Sequence, residues 1–249
     1  MSAAHSPGAP AHGAEERPED VAGWTPELAE ATWLVVPLYN EGQVIREVMA
    51  EARRTFPNIV CVDDGSADDS AVEARAAGVH VVKHPVNLGQ GAALRTGLDF
   101  ALSRTGAEFF VTFDSDGQHR VVDAQRMVVR LASEPLDIVI GSRFLDGRTK
   151  PGALKKLVLK MAVVFQSITS GVKLTDAHNG LRAMNRTAAL ALPIMQNRMA
   201  HASEIVNDIG AHKLRYAEEP VYIVYTDYSR AKGQSLWNSV NILHELLLK

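Results

Sequence analysis

The chain has 249 residues, 46% hydrophobic and 22% charged, which supports one large domain or two small ones and excludes a wholly disordered or collagen-like chain. A single cysteine, Cys61, excludes an internal disulfide or a multi-cysteine zinc site and makes a reducing compartment the default. With 26 basic and 29 acidic side chains the net charge is −3, so no overall attraction to nucleic acid is expected.

Residues 1–31 are rich in Ala, Pro, Gly and Glu without apolar periodicity and read as a disordered tail. They lack the basic start and apolar stretch of a signal peptide, and no apolar run reaches the ~18 residues that span a bilayer, so a cytoplasmic location is expected. Charge is uneven along the chain. Residues 1–30 hold six acids and one base, whereas residues 143–173 hold seven bases and one acid, either a solvated face or a local anion site.

From Trp33 onward, short runs rich in Val, Ile and Phe predict buried strands at 33–37, 58–63, 79–83, 108–114 and 136–141. Helical patterns fall between them at 41–55, 69–77, 91–104 and 121–132. This alternation predicts an α/β fold, a mainly parallel sheet flanked by helices, with ligands beyond the carboxyl ends of the strands. After Lys150 a long, mostly apolar helix with lysines near its start is expected at 154–171. A strand at 181–185, a helix at 202–212, a strand at 220–225 and a last amphipathic helix at 236–247 complete the reading.

Polar residues gather at the predicted strand ends. Asp114-Ser115-Asp116-Gly117-Gln118-His119 follows an apolar strand. Two carboxylates one residue apart can face one side of a turn and suit Mg²⁺ or Mn²⁺, with Gln118 as a further oxygen ligand. Acids are also common in turns. In Asp63-Asp64-Gly65-Ser66-Ala67-Asp68-Asp69, Ser66 or Asp68 caps the next helix, leaving Asp63 or Asp64 to accept from a base or ribose. Pro37-Leu38-Tyr39-Asn40-Glu41 offers the Tyr39 ring to a base. The stretch from Asn87 to Gly97 opens a helix with small residues and favours an anion, but lacks the full Gly-x-Gly-x-x-Gly spacing. No Walker lysine and no Gly-x-Ser-x-Gly elbow occur, which weakens a dehydrogenase, a P-loop ATPase and a serine hydrolase.

Taken together, Pro-x-Tyr-Asn-Glu (37–41), Val-Asp-Asp-Gly-Ser (62–66), Asn-x-Gly-x-Gly (87–91), Asp-x-Asp-Gly-Gln-His (114–119) and Ile-Gly-Ser-Arg (140–143) resemble glycosyltransferase family 2, in the branch of dolichyl- and polyprenyl-phosphate sugar synthases of the mannose synthase type. The resemblance implies a GT-A fold, a nucleotide-diphosphate sugar donor, a polyprenyl phosphate acceptor and a divalent metal. It implies Asp114, Asp116 and Gln118 as metal ligands, and a donor site of Pro37, Tyr39, Asn40, Glu41, Asp63, Asp64, Gly91, Asp114 and Ser115. The segments 176–182, 201–204 and 219–221 resemble further elements of the family, with Leu181 in place of an aromatic residue. Gln90 stands where many relatives carry lysine, which removes a positive charge near the donor phosphates. The domain reading is a tail at 1–31, a catalytic domain at 32–229 and an amphipathic helix at 230–249.

With a lipid phosphate as acceptor, no strong general base is required, only cations that offset repulsion between phosphates. Arg143 and Arg182 are the candidates, a structural salt bridge being the alternative for each. A neutral hydroxyl acceptor would require a carboxylate base, for which Glu204, beside Asp208 one helical turn on, is the candidate; the alternative is that Glu204 braces its helix. Asp116 completes the expected catalytic set. The lysine-bearing helix at 154–171 suits anionic lipid headgroups on the inner face of the plasma membrane, a buried core, or a contact between copies in a homo-oligomer. A third reading is a sugar-nucleotide sensor without turnover.

Overall fold

The structure, a computed structural model, describes residues 21–145, 171–197, 200–224 and 228. The expectations for residues 1–20, nearly all of the helix at 154–171, and the helix at 236–247 with its boundary at 229/230 lie outside these residues.

The described chain runs α1 (Pro26–Ala31), β1 (Thr32–Leu38), α2 (Ile45–Arg53), β2 (Asn58–Asp63), α3 (Ser70–Ala76), β3 (His80–Lys83), α4 (Gln90–Leu102), β4 (Phe109–Thr112), α5 (Val121–Ser133) and β5 (Ile138–Ser142). After the break come β6 (Arg182–Asn185), α6 (Arg186–Ala191), α7 (His201–Ala211) and β7 (Tyr216–Pro220). Seven strands form one sheet in the order β3-β2-β1-β4-β6-β5-β7. Only β6 runs against the others, antiparallel to β4 and β5, so the sheet is mixed but mainly parallel.

Every residue of β1 is buried because both faces of the sheet are covered, which is why the strand reads as an unbroken apolar run. Alternate residues serve opposite layers. Trp33 and Val35 join Leu94, Leu98, Ile205 and Ile209 beneath α4 and α7. Leu34, Val36 and Leu38 meet Ile45, Met49, Met127 and Val128 beneath α2 and α5. Among the described residues no helix is long and apolar enough to cross a membrane.

Three segments differ from the sequence expectation, one of them α6, a short helix opened by Asn185 Oδ1 accepting from Ala188 N where the sequence suggests no helix. Residues 21–31 are ordered, whereas a tail was expected through residue 31. Thr25 Oγ1 accepts from Leu28 N at 3.3 Å and Pro26 opens α1, while Trp24 packs edge-on against Phe56 with ring centroids 5.0 Å apart. The Thr-Pro-Glu helix start lies inside the Ala/Pro/Gly-rich composition that suggested disorder. Residues 221–224, where a strand was expected, hold an isolated bridge from Ile223 to His119, and among the described residues the last strand lies at 216–220. Its Tyr-Ala-Glu-Glu-Pro sequence looks like a loop because it is a half-buried edge strand whose acids have partners elsewhere: Glu218 accepts from the Thr175 and Asp176 amides, and Glu219 from Arg130.

Candidate active site

The strand order reverses at β1, whose next strand in sequence lies on one side and β4 on the other, opening a crevice at the carboxyl edge between β1 and β4. A cleft of about 520 Å³ lies there. Pro37 and Leu38 line it from the end of β1, Tyr39 and Glu41 from the loop that follows, Asp64 from just after β2, Asn87, Gly89, Gln90 and Ala93 from the loop before α4 and its first turn, and Asp114, Ser115 and Asp116 from the loop after β4.

The loop after β1 is fastened to the turn after β2. Asn40 adopts a positive φ of 54°, which asparagine tolerates better than most residues, and its Oδ1 accepts from Ala67 N at 2.9 Å. The amides of Asn40, Glu41 and Gly42 donate to Ser66 Oγ, Ser70 Oγ and Asp68 Oδ2. Asp68 Oδ1 also accepts from Ser70 N, the first amide of α3, at 3.0 Å, while the N-cap residue Asp69 makes no side-chain cap bond. Tyr39, 46% exposed, is left with its ring in the cleft. Glu41 faces the same space and accepts from Tyr228 Oη at 2.6 Å.

The two acids after β2 separate in role. Asp63 is fully buried; Oδ1 accepts from Ser66 N at 3.0 Å and Oδ2 lies 3.7 Å from Lys83 Nζ, so Asp63 shapes the turn and does not line the cleft. Asp64 does, but its oxygens already accept from Leu88 N, Gly89 N and the His84 Nδ1–H at 2.7–2.9 Å. His84 Nε2 lies 2.9 Å from Thr96 Oγ1 on α4. Asp64 therefore ties the loop at 84–89 to the cleft wall, with His84 linking it to α4.

After β4, Asp114 and Asp116 share the cleft edge. Asp114 Oδ2 accepts from His119 Nε2 at 2.9 Å, and Gln90 Nε2 reaches Oδ1 at 3.3 Å, while 32% of the side-chain surface stays open. Burial opposes ionisation of Asp114, but the nearby His119, Arg182 and His201 outweigh it and hold its carboxyl below the usual range. Asp116 is pushed the other way, by burial first and then by the charges of Asp114 and Glu41, against a hydrogen bond from Gln118 N. Crowded carboxylates with one group raised mark a place where a cation relieves repulsion. Among the described residues no group of three His, Cys, Asp or Glu side chains forms a complete ligand set. Oxygen donors from Asp114 and Asp116, with water and phosphate oxygens filling the remaining positions, are what Mg²⁺ or Mn²⁺ takes, so the residues fit such an ion. Gln118 lies outside the cleft lining; its backbone accepts from Val224 N at 2.9 Å and braces the loop.

Neither of the two arginines expected at the phosphates lines the cleft. Arg143 donates to both oxygens of Asp176, at 2.6 and 2.8 Å, in the salt bridge that was the alternative for it. Arg182 sits on β6 opposite Thr112 and Ile140, 1% exposed. Burial lowers its pKa to about 10, with Asp114 and Asp176 opposing the fall. Its charge favours the ionised form of Asp114, and it does not line the cleft. Glu204 accepts from the amides of Met195 and Gln196, each at 2.8 Å, one per carboxylate oxygen. Gly91 is buried under the same loop, its amide donating to Asn197 O at 2.9 Å.

The sequence assigns no individual role to His84, Asp176 or His119, whereas it sets the stretch from Asn87 to Gly97 at an anion and Gln90 near the donor phosphates, where the cleft lining includes Asn87, Gly89, Gln90 and Ala93. A lone histidine after a strand carries no recognisable pattern, whereas Asn87–Gly91 and His119 lie inside segments already singled out for their motifs.

The profile of the family described as "Glycosyl transferase family 2" matches residues 33–191. The chain belongs to glycosyl transferase family 2. It is 33% identical over 222 residues to an uncharacterised protein of Methanocaldococcus jannaschii, covering 87% of this chain and 91% of that one. It is 30% identical over 238 residues to the UDP-N-acetylglucosamine–dolichyl-phosphate N-acetylglucosaminyltransferase of Methanococcus voltae, covering 87% and 94%. Its fold matches glucosyl-3-phosphoglycerate synthase of Mycobacterium tuberculosis, crystallised with Mn²⁺, UDP-glucose and phosphoglyceric acid, at a TM-score of 0.62 and 21% identity over 83% of this chain and 78% of that one. The fold is GT-A and the protein is a glycosyltransferase.

Proposed function

We propose that this glycosyltransferase moves a hexose from a nucleoside-diphosphate sugar to a polyprenyl phosphate, with inversion at the anomeric carbon and a requirement for Mg²⁺ or Mn²⁺. The observation that carries the reading is the pair Asp114 and Asp116 at the edge of the strand-end cleft, facing Tyr39, Glu41 and Asp64 across it. In this reading Tyr39 stacks on the base, Pro37, Glu41 and Asp64 bound the nucleoside, and Gly89, Gln90 and Ser115 border the diphosphate. Asp114 and Asp116 hold the cation, and Arg182 and His119 fix Asp114 from behind. A bound divalent ion offsets negative charge on the departing diphosphate. A phosphate oxygen of the acceptor forms the new bond to the anomeric carbon while the bond to the diphosphate oxygen on the opposite face breaks.

The phosphate acceptor is supported by the Methanococcus voltae relative, whose name specifies dolichyl phosphate. It is also supported by Glu204, whose two oxygens are engaged by backbone amides and which is therefore not poised as a base. A phosphate acceptor is already ionised near neutral pH and needs none. The excess of bases between residues 143 and 173 favours peripheral contact with anionic headgroups on the inner face of the membrane. We take 32–229 as the catalytic domain and 230–249 as an amphipathic helix at that surface.

The test pairs labelled UDP-, GDP- and dTDP-hexoses and Mn²⁺ with vesicles carrying polyprenyl phosphate, or with soluble saccharide and hydroxy-acid acceptors. Label in the lipid fraction is expected. Label confined to a soluble acceptor would overturn the lipid assignment.

A further inference from the structure

The segment from Pro193 to Asn197, between α6 and α7 in the chain, has an unusual conformation. Ile194, a β-branched residue only 2% exposed, sits at φ +43°, where such a side chain is strained. Four contacts hold it there. Glu204, in the first turn of α7, accepts from the Met195 and Gln196 amides. Arg95 Nη1 donates to Pro193 O at 3.1 Å, and Gly91 N donates to Asn197 O at 2.9 Å. The loop presses so closely on α4 that a Cβ at Gly91 would lie 1.9 Å from Gln196 O. One residue before Gly91, Gln90 lines the cleft and reaches Asp114.

We propose that Glu204 is a positioning residue of the donor site: its carboxylate clamps the strained 193–197 loop onto the first turn of α4 and so sets where Gln90 and the neighbouring α4 backbone stand against Asp114. It reaches the reaction through the loop, without touching substrate. The inference rests on the donor reading above.

Glu204→Gln puts an amide N–H group against a backbone N–H, and Gly91→Ala drives the loop off α4 from the other side. Wild type, both single variants and the double variant are titrated with UDP, GDP and dTDP in Mn²⁺, melted thermally, and assayed over a range of donor concentration and pH. Each single variant is expected to bind the nucleotide preferred by wild type about tenfold more weakly, the size of one lost charge-assisted hydrogen bond. Donor KM rises in parallel, kcat stays within about threefold, and the pH profile of kcat keeps its shape. The double variant is no weaker than the weaker single, because both release one loop. Gly91→Ala alone carries the test if Glu204→Gln does not fold. Unchanged donor affinity in folded Glu204→Gln, multiplicative effects in the double variant, or a loss of kcat with an altered pH profile at unchanged affinity would overturn the inference. If wild type binds none of the three nucleotides, the donor reading fails and this inference falls with it.

Discussion

Replacing Gly180 with alanine probes the acidic site through one methyl group. The Gly180 carbonyl accepts from Thr112 Oγ1 at 2.6 Å and β6 begins two residues later, so the backbone cannot easily withdraw. A Cβ here would lie 2.5 Å from Asp114 Oδ2 and 2.9 Å from Oδ1. The shorter distance is about 1 Å inside ordinary contact at roughly 3.5 Å. The carboxylate must give way, which breaks the 2.9 Å bond from His119 Nε2. Overpacking of this kind costs about 1–3 kcal/mol. For a domain of this size that is a fall in Tm of roughly 2–12 °C. The effect on catalysis is expected to be larger, since a misplacement of about 1 Å costs on the order of a hundredfold in rate. Thermal melts, Mn²⁺ titration and initial rates on purified Gly180→Ala separate the two effects. A folded variant with wild-type rate and cation affinity would refute the placement of Asp114 in the reacting machinery.

Tyr39→Ala removes the exposed ring from the cleft and should weaken nucleoside-diphosphate binding about tenfold, as expected for one aromatic contact plus lost area; equal calorimetric affinities for variant and wild type would remove Tyr39 from the base site. Asp137 accepts from the Arg215 side chain at 2.8 and 2.9 Å, and these bonds, against burial and helped by Arg215 N and Asn185, hold its carboxyl well below the usual range. The stabilisation is thus present above the unfolded value of about 3.9 and lost as pH falls through the lower folded value, so Asp137→Asn should lower the urea midpoint at neutral pH and flatten its acid dependence. Parallel midpoint curves for the two proteins would contradict this. Cys61 is buried on β2 and burial pushes its thiol up, so a thiol reagent should label the native protein only at the rate of unfolding. Rapid native labelling would show the strand to be open.

The strands and helices from Trp33 to Ser142 were legible because buried parallel strands must be apolar on both faces, and the polar breaks between them mark turns. The acidic motif was legible for the same reason, since Asp114 and Asp116 stand out against Phe109–Thr112. The roles of Arg143, Arg182 and Glu204 were not. Each type suits phosphate or proton chemistry, but its use depends on distant partners: Asp176, the Asp114 carboxylate, and the amides at 195 and 196. Asp63 and Asp64 are equivalent as neighbouring letters, and only the alternation of β2 sends one into the turn and the other to the cleft. The edge strand β7 was displaced in the reading because half-buried glutamates with remote partners resemble a loop.

We propose that Asp114 and Asp116 bind a divalent cation together with a nucleoside diphosphate. Electron paramagnetic resonance of Mn²⁺, titrated into the protein with and without UDP, GDP or dTDP, measures this directly. Because the Asp116 carboxyl is raised by burial, Asp114 and Glu41, protons should compete with the ion at a higher pH than for an isolated aspartate, and Mn²⁺ affinity should fall as the solution is acidified. One tight Mn²⁺ site that depends on nucleotide and is lost in Asp116→Asn is expected. Equal Mn²⁺ uptake by wild type and Asp116→Asn in the presence of nucleotide would contradict it.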